Sequence, residues 1–558
     1  MLSRLKIQPK NISSDLVAGL TAAVVNIPQG MAYALVAGID PVFGLYSGIV
    51  PPIVGAIFTH SKFMMITVTG EVALVAGAVL LGLGSGAGIE ALVTLTLLVG
   101  LIAFLIGALK LDSILRFVSN AVMTGFLAGT AILIAIGQLD ELTGYTLQVD
   151  GNSLQEGWDW LTNIPQGDLP TFFVGVVALA LIVLLQRTRL KTIAMIIALG
   201  IASLLVLVFD WSSVALVGDI SEIPRGLPSF TLPDLSLIPD LLVGALAIAI
   251  ISLVDSAGTS MNLADREGVE DNVAQDYVGI GLGNIVGGFF QSMPSAGSLS
   301  RSNVTISAGG KSRWANIFAG VILALLLVTI GSVAELIPMS ALAGLLIYVG
   351  VDIVIGMQGE IEFVWKTSRI AAVAMVFTFI VVLVLPLLAA ILLAVALSLI
   401  MFVAASSTDV RAVELVPVGD DDLEERPAPE ALPSDKATVL RFYGSVYFAA
   451  VPTVEEHLPS MAETHHAVVI LNLRGRESAG STFLNFVQDY TEDLQKSGNL
   501  LMLAGVSEAV IAQLRETELI DQIGEDHIFL AEPGLNKATY RALEAAEAWL
   551  ERGDDHHP

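Results

Sequence analysis

The stretch PSAGSLSRSNV, residues 294–304, gathers hydrogen-bond donors between two apolar runs. Pro294 and Gly297 break the run upstream of them, and Gly309 and Gly310 end the segment downstream. A helix between those breaks, from Ser298 to Ala308, rises only about 16 Å, roughly half of a bilayer's hydrocarbon thickness. If the flanking runs span a membrane, this helix starts inside protein. Its unpaired N–H groups and positive dipole end then point into the core, which suits an anion. Ser298 and Ser300 add hydroxyls, and Arg301 adds a permanent charge within one turn of the helix start. The plainer alternative is that Arg301 marks a membrane edge and snorkels to water.

An earlier stretch, FMMITVTGEVALVAG (63–77), has the same character. The β-branched residues from Ile66 to Thr69 favour an extended lead-in, and Gly70 opens a short helix. Two such helix starts can face one another across a single ligand. Glu71 suits the dipole of its own helix but competes with an anion. It is either neutral, or turned away, or bound to a cation. Asp255 lies in the apolar run AIAIISLVDSAGTSMNLADREG, and a carboxylate within a membrane is costly unless functional. Thr259 follows four residues on, on the same helix face. Carboxylate and hydroxyl together suit Na⁺, a lone carboxylate equally suits a proton, and an ion pair with Arg301 is a structural alternative.

The elements that position these residues are apolar helices. The chain has 558 residues, a mean hydropathy of +0.76 and only 15% charged residues. Runs long enough to cross a bilayer recur from residue 16 to residue 404, so a polytopic α-helical membrane protein is expected. Fourteen segments are legible, with the third near 67–84, the fifth near 113–137, the eighth near 239–262 and the tenth near 298–308. Fourteen divides into seven plus seven, an odd half must be inverted relative to its twin, and broken segments three and ten then correspond. Lys and Arg cluster after even-numbered segments: Lys110 and Arg116; Arg187, Arg189 and Lys191; Lys311 and Arg313; Lys366 and Arg369. This predicts a cell-membrane protein with both termini in the cytoplasm.

Several classes are excluded. The net charge of −27 argues against nucleic acid as a partner. Without cysteine there is no thiol chemistry or Cys-based metal site. GGKS at 309–312 resembles the end of a phosphate-binding loop, but the loop's first glycine falls on Thr305. Among the histidines only His60 lies near the apolar segments, so no His-based metalloenzyme motif is present there. The chain is read as a carrier driven by ion or substrate gradients, not an enzyme.

Residues 1–405 are thus the transport domain. Residues 406–436 are acidic and Pro-rich, with nine carboxylates, and read as a hydrated linker. From 437 to 558 the pattern becomes strand and helix in alternation: ATVLRFYGSVYFA and HAVVILNLRG as strands, FLNFVQDYTEDLQKSG as a helix, LLMLAGV as a strand and VSEAVIAQLRETEL as a helix. This is a small α/β domain.

NIPQGMAYALVAGIDPVFGLYSGIVPPIVGAIF (26–58) resembles the first signature of the SulP anion transporters, a family that includes sulfate permeases, cyanobacterial bicarbonate transporters, pendrin and prestin. LADREGVEDNVAQDYVGIGLGNIVGGFFQSMPSAGSLSRSNV (263–304) resembles the second, and the C-terminal domain is similar to STAS. The resemblance implies core and gate subdomains, usually a homodimer, an anion bound between segments three and ten, and a STAS domain open to regulatory protein partners. It places Gln29, Tyr33, Ser300 and Arg301 on the family's anion-site positions, Asp255 on the acidic position of segment eight, and Thr69 on a polar position of segment three. The spacing of Asp255 and Thr259 resembles the sodium site of the bicarbonate members. Two departures stand out: Gly70-Glu71 where the family usually has Gly-Pro, and Gly480-Ser481-Thr482 where STAS often has an Asp before its phosphoacceptor. Ser481 is accordingly expected to start a helix. Secondary transport of sulfate or bicarbonate, coupled to Na⁺ or H⁺, is the leading expectation. A nucleobase carrier of the same fold and a membrane-anchored sensor with STAS output are the alternatives.

Overall fold

The computed structural model describes residues 9–553 except 85–87, 116–118, 150, 225, 409, 420–421, 445–449 and 463. Arg4, Lys6, Arg116 and the end of the expected first STAS strand lie outside the described residues. The chain divides into two compact units, residues 1–398 and 399–558.

The first unit opens with α1 (Ile12–Val36), α2 (Pro41–Tyr46) and α3 (Val50–Phe58). Gly30 and Gly44 let α1 and α2 touch through their backbones, since a Cβ on either would overlap the other's carbonyl. A three-residue strand, β1 (Met65–Thr67), then leads into α4 (Gly70–Leu81). Helices α5 (Ile89–Ala108), α6 (Asn120–Ile136), α7 (Leu169–Gln186) and α8 (Ala194–Phe209) complete the first half. The second half runs through α9 (Ile238–Glu267), α10 (Val273–Phe289), β2 (Ala296–Ser298), α11 (Leu299–Ser307), α12 (Trp314–Ile330), α13 (Met339–Gly356), α14 (Arg369–Val384) and α15 (Leu387–Thr408). Each of the fourteen expected segments has its counterpart. Among the described residues ten helices are long and apolar enough to cross a membrane. The four shorter segments are those of α4, α10, α11 and α14. The fifth segment's helix α6 begins at Asn120 rather than near 113.

Strands β1 and β2 pair antiparallel, with Ile66 opposite Gly297, so the two broken segments meet. Buried side chains satisfy the extended backbone. Met65 N–H donates to Ser302 Oγ at 3.0 Å, Gly297 N–H to Ser256 Oγ at 2.8 Å, and Ser295 N–H to Asn284 Oδ1 at 2.7 Å. Farther out, Asp276 accepts from Ser61 N–H at 2.9 Å and from the hydroxyls of Ser61 and Ser260 at 2.6 Å each. Two residues of the GGKS turn are held by α1, because Asp15 accepts the N–H groups of Lys311 and Ser312. Arg313, counted above among the residues that set orientation, is buried and donates to the carbonyls of Ala56 and Thr59 at the end of α3.

The second unit is one six-stranded sheet in the order β4-β3-β5-β6-β7-β8, formed by β3 (Arg411–Val418), β4 (Asp422–Pro427), β5 (Ala437–Tyr443), β6 (Val468–Asn472), β7 (Leu500–Val506) and β8 (Ile528–Leu530). β5 to β8 are parallel, and β3 and β4 are antiparallel. Helix α16 (Ser481–Lys496) lies against one face and α18 (Lys537–Gly553) against the other, with α17 (Glu508–Glu516) between them in sequence. This corrects the reading of 406–436 as a hydrated linker. Its acidic residues belong to a charged edge hairpin, a common protection of a sheet edge. Only Val413 and Leu415 of β3 are fully buried, so the apolar signal was too short to stand out.

Leu415→Ala removes one of those two buried anchors. It should cost the STAS unit about 2–4 kcal/mol. Hydrogen exchange of the amides of residues 411–418 in the full chain reads this directly. Fast exchange there in the unsubstituted protein would restore the linker reading.

Candidate anion-binding site

The sequence places Arg301 one turn into a helix, and the structure buries it there at 2% exposure. Ser298 is the N-cap of α11, and its Oγ lies 3.3 Å from that of Ser300. The guanidinium is held from three sides. Nε donates to Gln29 Oε1 on α1 at 2.9 Å, and Nη1 donates to Thr67 Oγ1 at 3.1 Å and to the Val68 carbonyl at 2.6 Å. The group also sits 5.3 Å from the centre of the Tyr33 ring, a cation–π contact. Gln29 is itself anchored by its amide nitrogen to Met195 Sδ at 3.3 Å.

One nitrogen, Arg301 Nη2, is buried with no partner, and so is Thr69 Oγ1, the N-cap residue of α4. Both residues line a cavity of about 550 Å³. Gln29, Tyr33, Gly70, Glu71, Asp255, Ser298 and Ser300 line it too. The starts of α4 and α11 therefore converge on one space, as their sequences predicted. A Cβ at Gly70 would press on Ile134 Cδ1 and on the Tyr33 ring, 2.9 and 3.2 Å away, so glycine gives the start of α4 room here. The donors converging here are a guanidinium N–H, hydroxyls and two helix ends, a set built to hold negative charge.

The structure separates two residues that the sequence grouped. Asp255 turns to Glu71, and the two side chains are hydrogen-bonded to one another. Thr259 instead faces β2, where its hydroxyl donates to the Gly297 carbonyl at 2.9 Å. Asp255 is thus the partner of Glu71 and not of Arg301. Sequence reasoning missed Thr67, although it stood in the quoted stretch, and it missed the outer wall. Gln186, Lys191, Thr192, Asp352 and Glu360 line the same cavity. Asp352 carried a usable signal, being a carboxylate within an apolar segment.

A multi-pass membrane fold with two opposed half-helices and a donor-lined cavity defines a membrane anion transporter. The sequence pattern described as the sulfate permease family matches residues 12–378, and that of the STAS domain matches residues 428–533. The chain belongs to the sulfate permease family. It is 29% identical over 542 residues to a Mycobacterium tuberculosis protein named "Probable sulfate transporter", covering 94% of this chain and 95% of that one. It is 27% identical over 392 residues to prestin of Danio rerio, covering 64% of this chain and 52% of that one. Among solved structures, the murine anion transporter Solute Carrier 26 family member A9, in an inward-facing state, aligns with a TM-score of 0.82 at 19% identity, covering 97% of this chain and 92% of that one. The transmembrane domain of the cyanobacterial bicarbonate transporter BicA aligns at 0.59 and 24% identity, covering 71% of this chain and 98% of that one.

Gln29 orients Arg301 through a neutral oxygen, which leaves the guanidinium charge unneutralised. Gln29→Ala should weaken anion binding by about 1 kcal/mol, the worth of one ordinary hydrogen bond. Gln29→Glu should weaken it far more, because a carboxylate on Nε spends the charge inside the protein. Calorimetric titration of the purified protein compares them. Wild-type binding by Gln29→Glu would show that Arg301 is not the anion's counter-charge.

Proposed function

We propose that this protein carries sulfate or bicarbonate across the cell membrane as a secondary active transporter. The anion is bound between the starts of α4 and α11 by Arg301 Nη2, Thr69 Oγ1 and the hydroxyls of Ser298 and Ser300. The observation that supports this best is the pair of buried, unpartnered donors, Arg301 Nη2 and Thr69 Oγ1, on one cavity. A buried polar atom without a partner costs about 1–3 kcal/mol, and a bound anion returns that. Sulfate is favoured by the names of many relatives, and bicarbonate by BicA among the structural neighbours.

The coupling cation is carried at Asp255 and is a proton or Na⁺. The contact between Asp255 and Glu71 favours a proton, since one hydrogen joins two carboxyl groups. A Na⁺ site shared by Asp255 and Thr259 would require the Thr259 hydroxyl to leave the Gly297 carbonyl, to which it donates. Both termini lie in the cytoplasm by the distribution of Lys and Arg, and the family resemblance supports a homodimer with a STAS domain in a docking role.

Arg301→Ala tests the anion assignment. It should lower apparent anion affinity by roughly 10- to 150-fold, equivalent to about 1.5–3 kcal/mol for one charge-assisted contact. Radiolabelled uptake into proteoliposomes measures it, with each anion, across a Na⁺ series and a pH series. An unchanged apparent affinity would sink the assignment. A wild type indifferent to Na⁺ but faster in acid would leave the proton as the coupling ion.

A further inference from the structure

We propose that the short helix Ser153–Asn163, in the connection between α6 and α7, docks its exposed apolar face on the bilayer surface. Its partner is the headgroup and upper acyl region of a lipid layer, and apolar insertion rather than charge holds it there.

The sequence SLQEGWDWLTN places Leu154, Trp158 and Leu161 four and three residues apart, on one face of the helix. All three are exposed, at 46%, 68% and 55%. Glu156, Asp159, Thr162 and Asn163 fall on the other half of the helix surface. Gly157 and Trp160 lie beside the apolar face and rest on protein. Trp160 Nε1 donates to Thr143 Oγ1 at 3.1 Å, and a Cβ on Gly157 would come within 3.6 Å of Ile136, the last residue of α6. The apolar half is therefore continuous, with one flank on the end of a membrane helix and the other exposed beside it. A capping box between Asn152 and Gln155 fixes the helix start, so the direction of that face is set locally.

The surroundings put the exposed flank at the membrane edge. Thr143 ends the apolar helical stretch Asn120–Thr143, and Leu169 opens the stretch Leu169–Gln186. Both are long and apolar enough to cross a membrane. The Asp168 N–H donates to the Thr143 carbonyl at 2.8 Å, so the ends of the two spans are tied where Trp160 is hooked. Other aromatic side chains mark the same end. Phe173, near the start of α7, meets Trp211 edge-on at 5.9 Å, and Trp211 stacks on Phe209 at the end of α8 at 5.0 Å. Phe173 and Phe209 are exposed. Aromatic rings gather at the boundary between acyl chains and headgroups, and Trp158 extends that belt. Residues 138–169 contain no Lys or Arg, so the helix has no attraction to anionic headgroups. Leu154, Trp158 and Leu161 are what it can insert.

The chain has no cysteine, so one introduced cysteine carries a spin label at one known place. Leu154→Cys, Trp158→Cys and Leu161→Cys report the apolar face, and Glu156→Cys and Thr162→Cys report the polar half. Each full-length labelled protein is placed in phosphatidylcholine vesicles. Collisions of the label are then measured with oxygen, which concentrates in lipid, and with a nickel chelate, which stays in water. Nickel collisions should be almost lost at positions 154, 158 and 161, with oxygen collisions raised, and should persist at 156 and 162. The three buried labels should lie about 5–10 Å into the boundary between headgroups and acyl chains. Equal nickel collisions at all five positions would place the face in water and overturn the proposal. Oxygen and nickel collisions that are both low at 154, 158 and 161 would place it under protein and overturn it as well. So would insertion that appears only when phosphatidylglycerol is added, since charge would then be required. If one of the three variants fails to fold, the other two read the same face.

Discussion

A permanent charge buried inside a membrane domain must be held without being neutralised, and most of the architecture around Arg301 meets that constraint. Its guanidinium is fixed by neutral acceptors only: an amide oxygen, a hydroxyl and a backbone carbonyl. A carboxylate partner would be stronger but would consume the charge. The Tyr33 ring adds a contact that also leaves the charge free. What remains without a partner is Nη2 with its two N–H groups, on a residue that lines the cavity.

Those acceptors come from α1 and from the β1 side of the other half, so the geometry exists only if the two broken segments are locked together. Non-helical backbone at membrane depth is tolerated only when every peptide group finds a partner within the protein. The short β1–β2 ladder supplies part of that, and Ser302, Ser256, Asn284 and Thr259 supply much of the rest. Thr259 therefore stabilises the strand on which the site depends, whatever it does during transport. The serines of SLSRS divide the work. Ser298 and Ser300 line the cavity, and Ser302 turns back to β1.

Much of this was legible in the sequence because two strong signals coincide. Apolar runs report membrane helices whatever their packing, and glycine, proline and β-branched residues report where such a run must break. The pairing of segments three and ten followed from those breaks. Side-chain direction was less legible. Asp255 and Thr259 share a helix face by spacing, yet β2 captures one and Glu71 the other, and partners brought from far along the chain leave no local trace. The β3–β4 hairpin was hidden because edge strands are protected with charge, so its composition imitates a linker.

The most direct test of the anion site is to locate an anion in it. Selenate and bromide scatter anomalously and stand in for a divalent and a monovalent substrate. Diffraction from crystals of the intact protein grown with each should place a peak between the starts of α4 and α11, within hydrogen-bond reach of Arg301 Nη2 and Thr69 Oγ1. The peak should vanish in Arg301→Ala crystals. A peak elsewhere in the membrane domain, or one that persists without Arg301, would contradict the account.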